Sequence, residues 1–143
     1  MRNSLMPGLP VQFSFSVPEN KTVPHLFPES PEFQSMPRVL ATGFMVGLME
    51  WACIRAVNPH IDWPREQTVG VGVNLTHCAA TPAGLTVTVT GTLVKVEGRK
   101  LTFSLSAHDG VEKISEGIHE RFVIDAATFC AKASQKAGDT EGG

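Results

Sequence analysis

Between Arg38 and Val57 the chain carries no proline, and apolar side chains fill most of the faces that such a segment would present as a helix, until Asn58-Pro59 stops it. This pattern predicts one long, largely buried helix over residues 38–57. It is the only long helix the sequence predicts. A helix apolar on most sides must be enclosed, so the segments around it decide the fold.

Those segments read as strands. From Val11 to Val17, apolar and polar side chains alternate over seven positions, which is the period of a half-buried strand. Segments 68–77, 85–96, 100–107 and 112–124 are rich in Val, Ile, Thr and Phe and predict four more strands. Turn chemistry separates them at Thr81-Pro82-Ala83-Gly84, Glu97-Gly98-Arg99 and Asp109-Gly110. Short connections imply an antiparallel sheet that must bury one face, and the helix is the element available to fill it. The expected architecture is α+β, an antiparallel sheet of about five strands wrapped around one long central helix. With one helix to cover it, the sheet is expected to extend or pack through a partner subunit.

The length of 143 residues and a hydrophobic content of 42% suit one domain with a real core. We place it at 11–136, after a tail at 1–10. Asp125 would cap a short helix reaching about Lys136, and 137–143 is expected to be disordered. Five prolines between Pro18 and Pro37 leave no room for a regular element. Leu26, Phe27, Phe33 and Met36 in the same stretch need an apolar surface. A 20-residue loop of this kind is expected to act as a lid.

Several function classes are excluded. Twelve basic against fourteen acidic residues, with no cationic run beyond Arg99-Lys100, lack the footprint of a nucleic-acid binder. The apolar run from Phe44 to Ile54 is too short to span a bilayer, and Glu50 interrupts it. The first ten residues hold no secretory h-region, so a cytoplasmic protein is expected. Cys53, Cys78 and Cys130 lack C-x-x-C spacing, which suggests reduced, mostly core thiols. His25, His60, His108 and His119 form no metal-ligand pattern, and neither a Walker loop nor a G-x-S-x-G elbow is present. No metal or cofactor is expected.

Glu50 is the one charged residue between Arg38 and Arg55. A carboxylate there is costly unless it is paired or reaches solvent. Gly43, Gly47 and Glu50 share a helix face, and each interior glycine costs roughly 1 kcal/mol relative to alanine. They suggest a face kept narrow for a ligand or another backbone, although close packing on the sheet would account for them equally. His77 shares the parity of Val69, Val71, Val73 and Leu75, so an unbulged strand would turn it inward. A satisfied core histidine is the plainer reading. A pair with Glu50 would instead hold one tautomer and raise its basicity, as general-base catalysis uses. Thr42 near the helix start can cap, pack, or present its hydroxyl to a carbonyl beside the helix N-terminus.

The runs His25–Phe33, Ala41–Cys53, Thr76–Pro82, Gly84–Thr90 and Ser106–Val111, with His119-Glu120-Arg121, closely resemble the fluoroacetyl-CoA thioesterase family over roughly 11–136. The resemblance implies a hot-dog fold and a homodimer that hydrolyses a short acyl-CoA, with CoA as part of the substrate rather than a cofactor. By matching motif it implies Thr42, Glu50 and His77 as catalytic residues and Gly70 and Arg121 as substrate contacts. Phe33 matches a lid phenylalanine, whereas Met36 stands where the fluoroacetyl-specific pattern has a second one. Methionine is more pliable and has no aromatic face. A non-catalytic acyl-CoA-binding module and a thioesterase for carrier-protein substrates are the alternative functions on the same residues.

Overall fold

The computed structural model describes residues 1–142. β1 (Pro10–Ser16) is followed by two single 3-10 turns, a short helix α1 (Pro31–Gln34) and the long helix α2 (Thr42–Val57). Then come β2 (Glu66–Leu75), β3 (Thr86–Glu97), β4 (Lys100–His108), β5 (Lys113–Asp125) and a terminal helix α3 (Ala126–Gly142). The strands form one antiparallel sheet in the order β1-β3-β4-β5-β2. The expected α+β sheet around a central helix is the fold found.

α2 buries Met45, Leu48, Met49, Ala52, Cys53 and Val57, a three- and four-residue spacing that makes one continuous stripe. Against it the sheet presents Val87, Val89 and Leu93 from β3 and Leu101, Phe103 and Leu105 from β4, all at most 3% exposed. Each such side chain contributes about 1.5–3 kcal/mol by leaving water. The sheet can close around the helix because glycines sit in one row across it, where Val11, Gly91, Leu105, Gly117 and Leu75 pair in register. A β-carbon on Gly91 would lie 2.1 Å from the Ser104 carbonyl oxygen, and one on Gly117, at φ +148°, would lie 2.1 Å from that of Asn74.

The helix begins at Thr42 rather than at Arg38, because Val39 and Leu40 are taken into bridges with Pro82 and Thr22. Leu40 N–H donates to the Thr81 carbonyl at 2.7 Å, and Ala41 N–H to that of Lys21 at 3.1 Å. The loop 18–37 is more ordered than its prolines suggest. Ser30 caps α1 by accepting from the Phe33 N–H at 3.1 Å, and Pro31 stands at its first position, where no N–H is needed.

The unbroken parity expected from Val69 to His77 fails at a bulge between Gly70 and Gly72, which leaves Val69 on the outer face and Val73 and Leu75 on the inner one. Glu66 and Thr68 are buried, and Val69 pairs with the exposed Phe122; beyond the bulge Val73 pairs with the buried His119. β2 ends at Leu75, so His77 lies beyond the strand. Three smaller expectations also change. Cys53 is a core thiol, but Cys78 and Cys130 are exposed. Leu5, in the expected tail 1–10, is a core residue. The terminal helix runs past Lys136 to Gly142, through most of the tail expected to be disordered, and Gly143 lies outside the described residues. No helix among the described residues is long and apolar enough to cross a membrane.

Gly117→Ala is expected to destabilise the protein by more than about 2 kcal/mol, as a strained substitution against backbone. Gly138→Ala, which meets open space, should change stability by less than about 0.5 kcal/mol. Urea midpoints of the two variants check the contrast.

Candidate active site

Two groups of polar side chains flank α2. The first is at its N-terminus. Thr42 is the first helical residue, and Ala41 at the cap has no side chain to occupy the first-turn N–H groups. The positive end of the helix dipole therefore faces this corner unmasked. Thr42 Oγ1 lies 2.7 Å from His77 Nδ1. His77 Nε2 is buried and has no hydrogen-bond partner among the described residues. With the ring proton on Nε2, the hydroxyl donates to Nδ1, so Nδ1 is the nitrogen that addresses the surface. Thr42 and His77, with Val23, Val39, Cys78 and Ala79, line a depression of about 280 Å³.

The second group lies in the middle of the helix. Glu50 Oε2 accepts from Arg121 Nη1 at 2.8 Å; the Arg121 side chain is 3% exposed and that of Glu50 38%. Arg121 Nε donates to Thr68 Oγ1 and Nη2 to the Thr68 carbonyl, both at 2.8 Å, while Nη1 lies 3.0 Å from His119 Nε2. Four of the five guanidinium N–H groups are thus engaged within the chain. Within the chain the Arg121 guanidinium is a buried clamp on Glu50. Gly70 supplies the space, since a β-carbon there would lie 2.9 Å from Glu50 Oε2. Of the two helix glycines, Gly43 accommodates Leu26, at 3.1 Å from a β-carbon, and Gly47 faces open space.

The expected Glu50–His77 pair is not formed within the chain. Thr42 and Glu50 are eight residues apart on an unbroken helix, about 12 Å along its axis. The hydrogen bonds of the two side chains go elsewhere, His77 to Thr42 and Glu50 to Arg121. The expected upward displacement of His77 fails for the same reason. Burial, with no facing carboxylate to offset it, holds His77 below its ordinary value. His119, fully buried, is likewise lowered, chiefly by burial. Burial pushes the Cys53 thiol up to about 12, so it stays neutral and inert.

Among the lid residues, Phe33 is half-buried, with its ring 5.7 Å from that of Phe27, whereas Met36 and Phe27 are 45% and 51% exposed. The loop is seated on α2 by Leu26 against Gly43, beside Thr42. The pattern reading passed over His119 and Thr68. Their signal was period two, since His119 and Arg121 share one face of β5 and Thr68 and Gly70 one face of β2.

Both histidines have lowered values, so the unfolded chain takes up protons first as pH falls. Stability should therefore decline from about pH 6.5 downward. Thermal melts from pH 8 to 5 check this, and His119→Gln should flatten the decline. Glu50→Ala leaves a buried guanidinium short of its anion and is expected to cost about 1–3 kcal/mol, read from urea midpoints.

Comparison with known proteins agrees with this geometry. The model of a family described as Fluoroacetyl-CoA-specific thioesterase matches residues 18–127. The fluoroacetyl-CoA thioesterase of Streptantibioticus cattleyicolor is 54% identical over 136 residues, covering 95% of this chain and 97% of the relative. A solved fluoroacetyl-CoA thioesterase superposes with TM-score 0.89 at 55% identity, over 92% of this chain and 97% of that one. A thioesterase-superfamily member from Thermus thermophilus, 24% identical, superposes with TM-score 0.85 over the full length of both chains and supports the fold. A hot-dog-like protein from Thermanaerovibrio acidaminovorans does so with TM-score 0.74 at 20% identity, over 91% of each chain. With a sheet wrapped on one helix, a hydroxyl–imidazole pair at the helix N-terminus and family likeness along most of its length, this chain belongs to the fluoroacetyl-CoA-specific thioesterase family.

Proposed function

We propose that this protein hydrolyses a short-chain acyl-CoA to the free acid and CoA, with Thr42, His77 and Glu50 as its catalytic residues. The observation that carries the reading is the 2.7 Å contact of Thr42 Oγ1 with His77 Nδ1 at an uncapped helix N-terminus. His77 Nδ1 takes a proton relayed through the Thr42 hydroxyl as an oxygen, that of Thr42 or of a water bound to it, attacks the thioester carbonyl. The first-turn N–H groups of α2 receive the developing oxyanion. The C–S bond breaks, and the CoA thiolate leaves with the proton from the imidazolium; water attack gives the free acid at once, whereas attack by Thr42 leaves an acyl ester that a water deprotonated by His77 then hydrolyses, the proton returning to the Thr42 oxygen as the acid departs. No cofactor enters the reaction.

Glu50 lies too far along the helix to share that carbonyl within one chain. A homodimer resolves this by placing the Glu50 of one protomer against the Thr42–His77 corner of the other. The edge strand supports such an assembly. β2 carries Val71 and Val73, each more than half exposed, on an unpaired sheet edge, a surface that soluble proteins cover. The loop 18–37 then closes over the acyl group with Phe33 and Met36. CoA chemistry and three free thiols suit the cytoplasm.

The test is thiol release from acetyl- and fluoroacetyl-CoA. His77→Ala and Thr42→Ala should each lower kcat/KM by about 10²–10⁴-fold. Binding of acyl-CoA by the wild type without turnover would favour the non-catalytic module instead. As the base must be neutral, kcat/KM should rise with pH through the His77 ionisation, which burial lowers within one chain and a facing Glu50 carboxylate from the partner protomer would raise. A profile flat from pH 5 to 8, with chemistry rate-limiting, removes His77 from the role. Met36→Phe should shift the fluoroacetyl-CoA to acetyl-CoA ratio by the equivalent of about 1–3 kcal/mol, while leaving His77-dependent turnover in place.

A further inference from the structure

The conformation of Glu50 is set by a buried frame rather than by its own helix. A free arginine side chain carries about 2 kcal/mol of rotamer entropy and could follow a carboxylate to many places. Arg121 cannot, because its planar fork is fixed at three atoms by groups that themselves cannot move. Thr68, 8% exposed in β2, accepts from Nε with its hydroxyl and from Nη2 with its carbonyl. His119, fully buried in β5, meets Nη1 at Nε2 and lies 2.8 Å from the Gly72 carbonyl at Nδ1.

The chemistry of those partners fixes the histidine. A carbonyl can only accept and a guanidinium can only donate. His119 is therefore neutral, with its proton on Nδ1. Nη1 is the atom that also donates to Glu50 Oε2. Its two hydrogens are coplanar and diverge by about 120°, so directing one at His119 directs the other at Glu50. Gly70 keeps the channel between them clear, since a β-carbon there would stand 2.9 Å from Glu50 Oε2 and 3.5 Å from His119 Cε1.

We propose that His119 and Thr68 are positioning residues for the reaction: buried on β5 and β2, they lock the Arg121 guanidinium so that its Nη1 holds the Glu50 carboxylate in its catalytic orientation. The proposal rests on the thioesterase reading and adds that two residues outside the reacting set determine kcat through Glu50.

The experiment compares nearly isosteric pairs, each with Glu50 and with Glu50→Gln. Gln at 119 can donate to Gly72 and accept from Arg121, whereas Met can do neither; Ser at 68 keeps the hydroxyl that Val removes. His119→Met and Thr68→Val should lower kcat for a short acyl-CoA by roughly 10- to 100-fold, the scale of a small misplacement, with KM little changed. His119→Gln and Thr68→Ser should restore most of the loss. In the Glu50→Gln background, His119→Met and Thr68→Val should each cost less than about twofold, because the carboxylate they orient is gone. A folded His119→Met enzyme with wild-type kcat, equal losses for Met and Gln, or an undiminished loss in the Glu50→Gln background would overturn the positioning role. If His119→Met does not fold, the Thr68 variants decide by the same readings. A wild-type enzyme that hydrolyses no short acyl-CoA removes the thioesterase reading itself; a hydrolysing one with unaffected variants removes only the positioning role.

Discussion

Enclosure of α2 by the curled sheet is the constraint on which the remaining structure depends. The helix has no second layer of helices to share its apolar surface, so the sheet must bend far enough to cover it. The glycine row through Gly91 and Gly117 makes that bend possible, since a side chain at either place would strike the backbone of the next strand. Once the sheet is closed on the Met45–Val57 stripe, the position of every residue along the helix is fixed relative to the strands. Thr42 is held at an open end, and Glu50 is held against β2 and β5.

This enclosure explains how a charge can stand on so apolar a helix. Arg121 would be expensive to bury alone. Its carboxylate partner is half in water, and its other donors meet fixed acceptors, so the pair avoids the desolvation of two unscreened ions. The arrangement gives Glu50 a defined direction as well as a counter-ion. The corner at Thr42 uses the opposite device. Within one chain it contains no ion pair: a helix N-terminus, a hydroxyl and an imidazole whose protonation burial disfavours meet there.

The two groups answer different needs of thioester hydrolysis, and their separation along one helix is a structural fact with a functional consequence. A rigid helix cannot bend Thr42 and Glu50 onto one carbonyl. The exposed valines of the β2 edge and the partly exposed Glu50 carboxylate are the features on which the proposed assembly rests.

The sequence by itself determined the elements and their order, because periodicity, prolines and turn residues act locally: the alternation from Val11, the apolar run closed by Asn58-Pro59 and the hairpin turns each specify their element without help from distant residues. It also carried Thr42, Glu50, His77, Gly70 and Arg121 as family-matching positions. Partnership was decided by tertiary structure. One bulge at Gly70–Gly72 puts Val69 on the outer face and Val73 and Leu75 on the inner one, so alternation alone could not carry a single face from Val69 to His77, and bulges depend on how two strands pair. Burial, which no linear pattern measures, lowered His77 where a carboxylate partner would have raised it. The link from His119 and Thr68 to Glu50 runs across two strands and a helix, separated by 71 residues between Glu50 and Arg121; such contacts exist only after the sheet has closed around the helix, and geometry alone could select them.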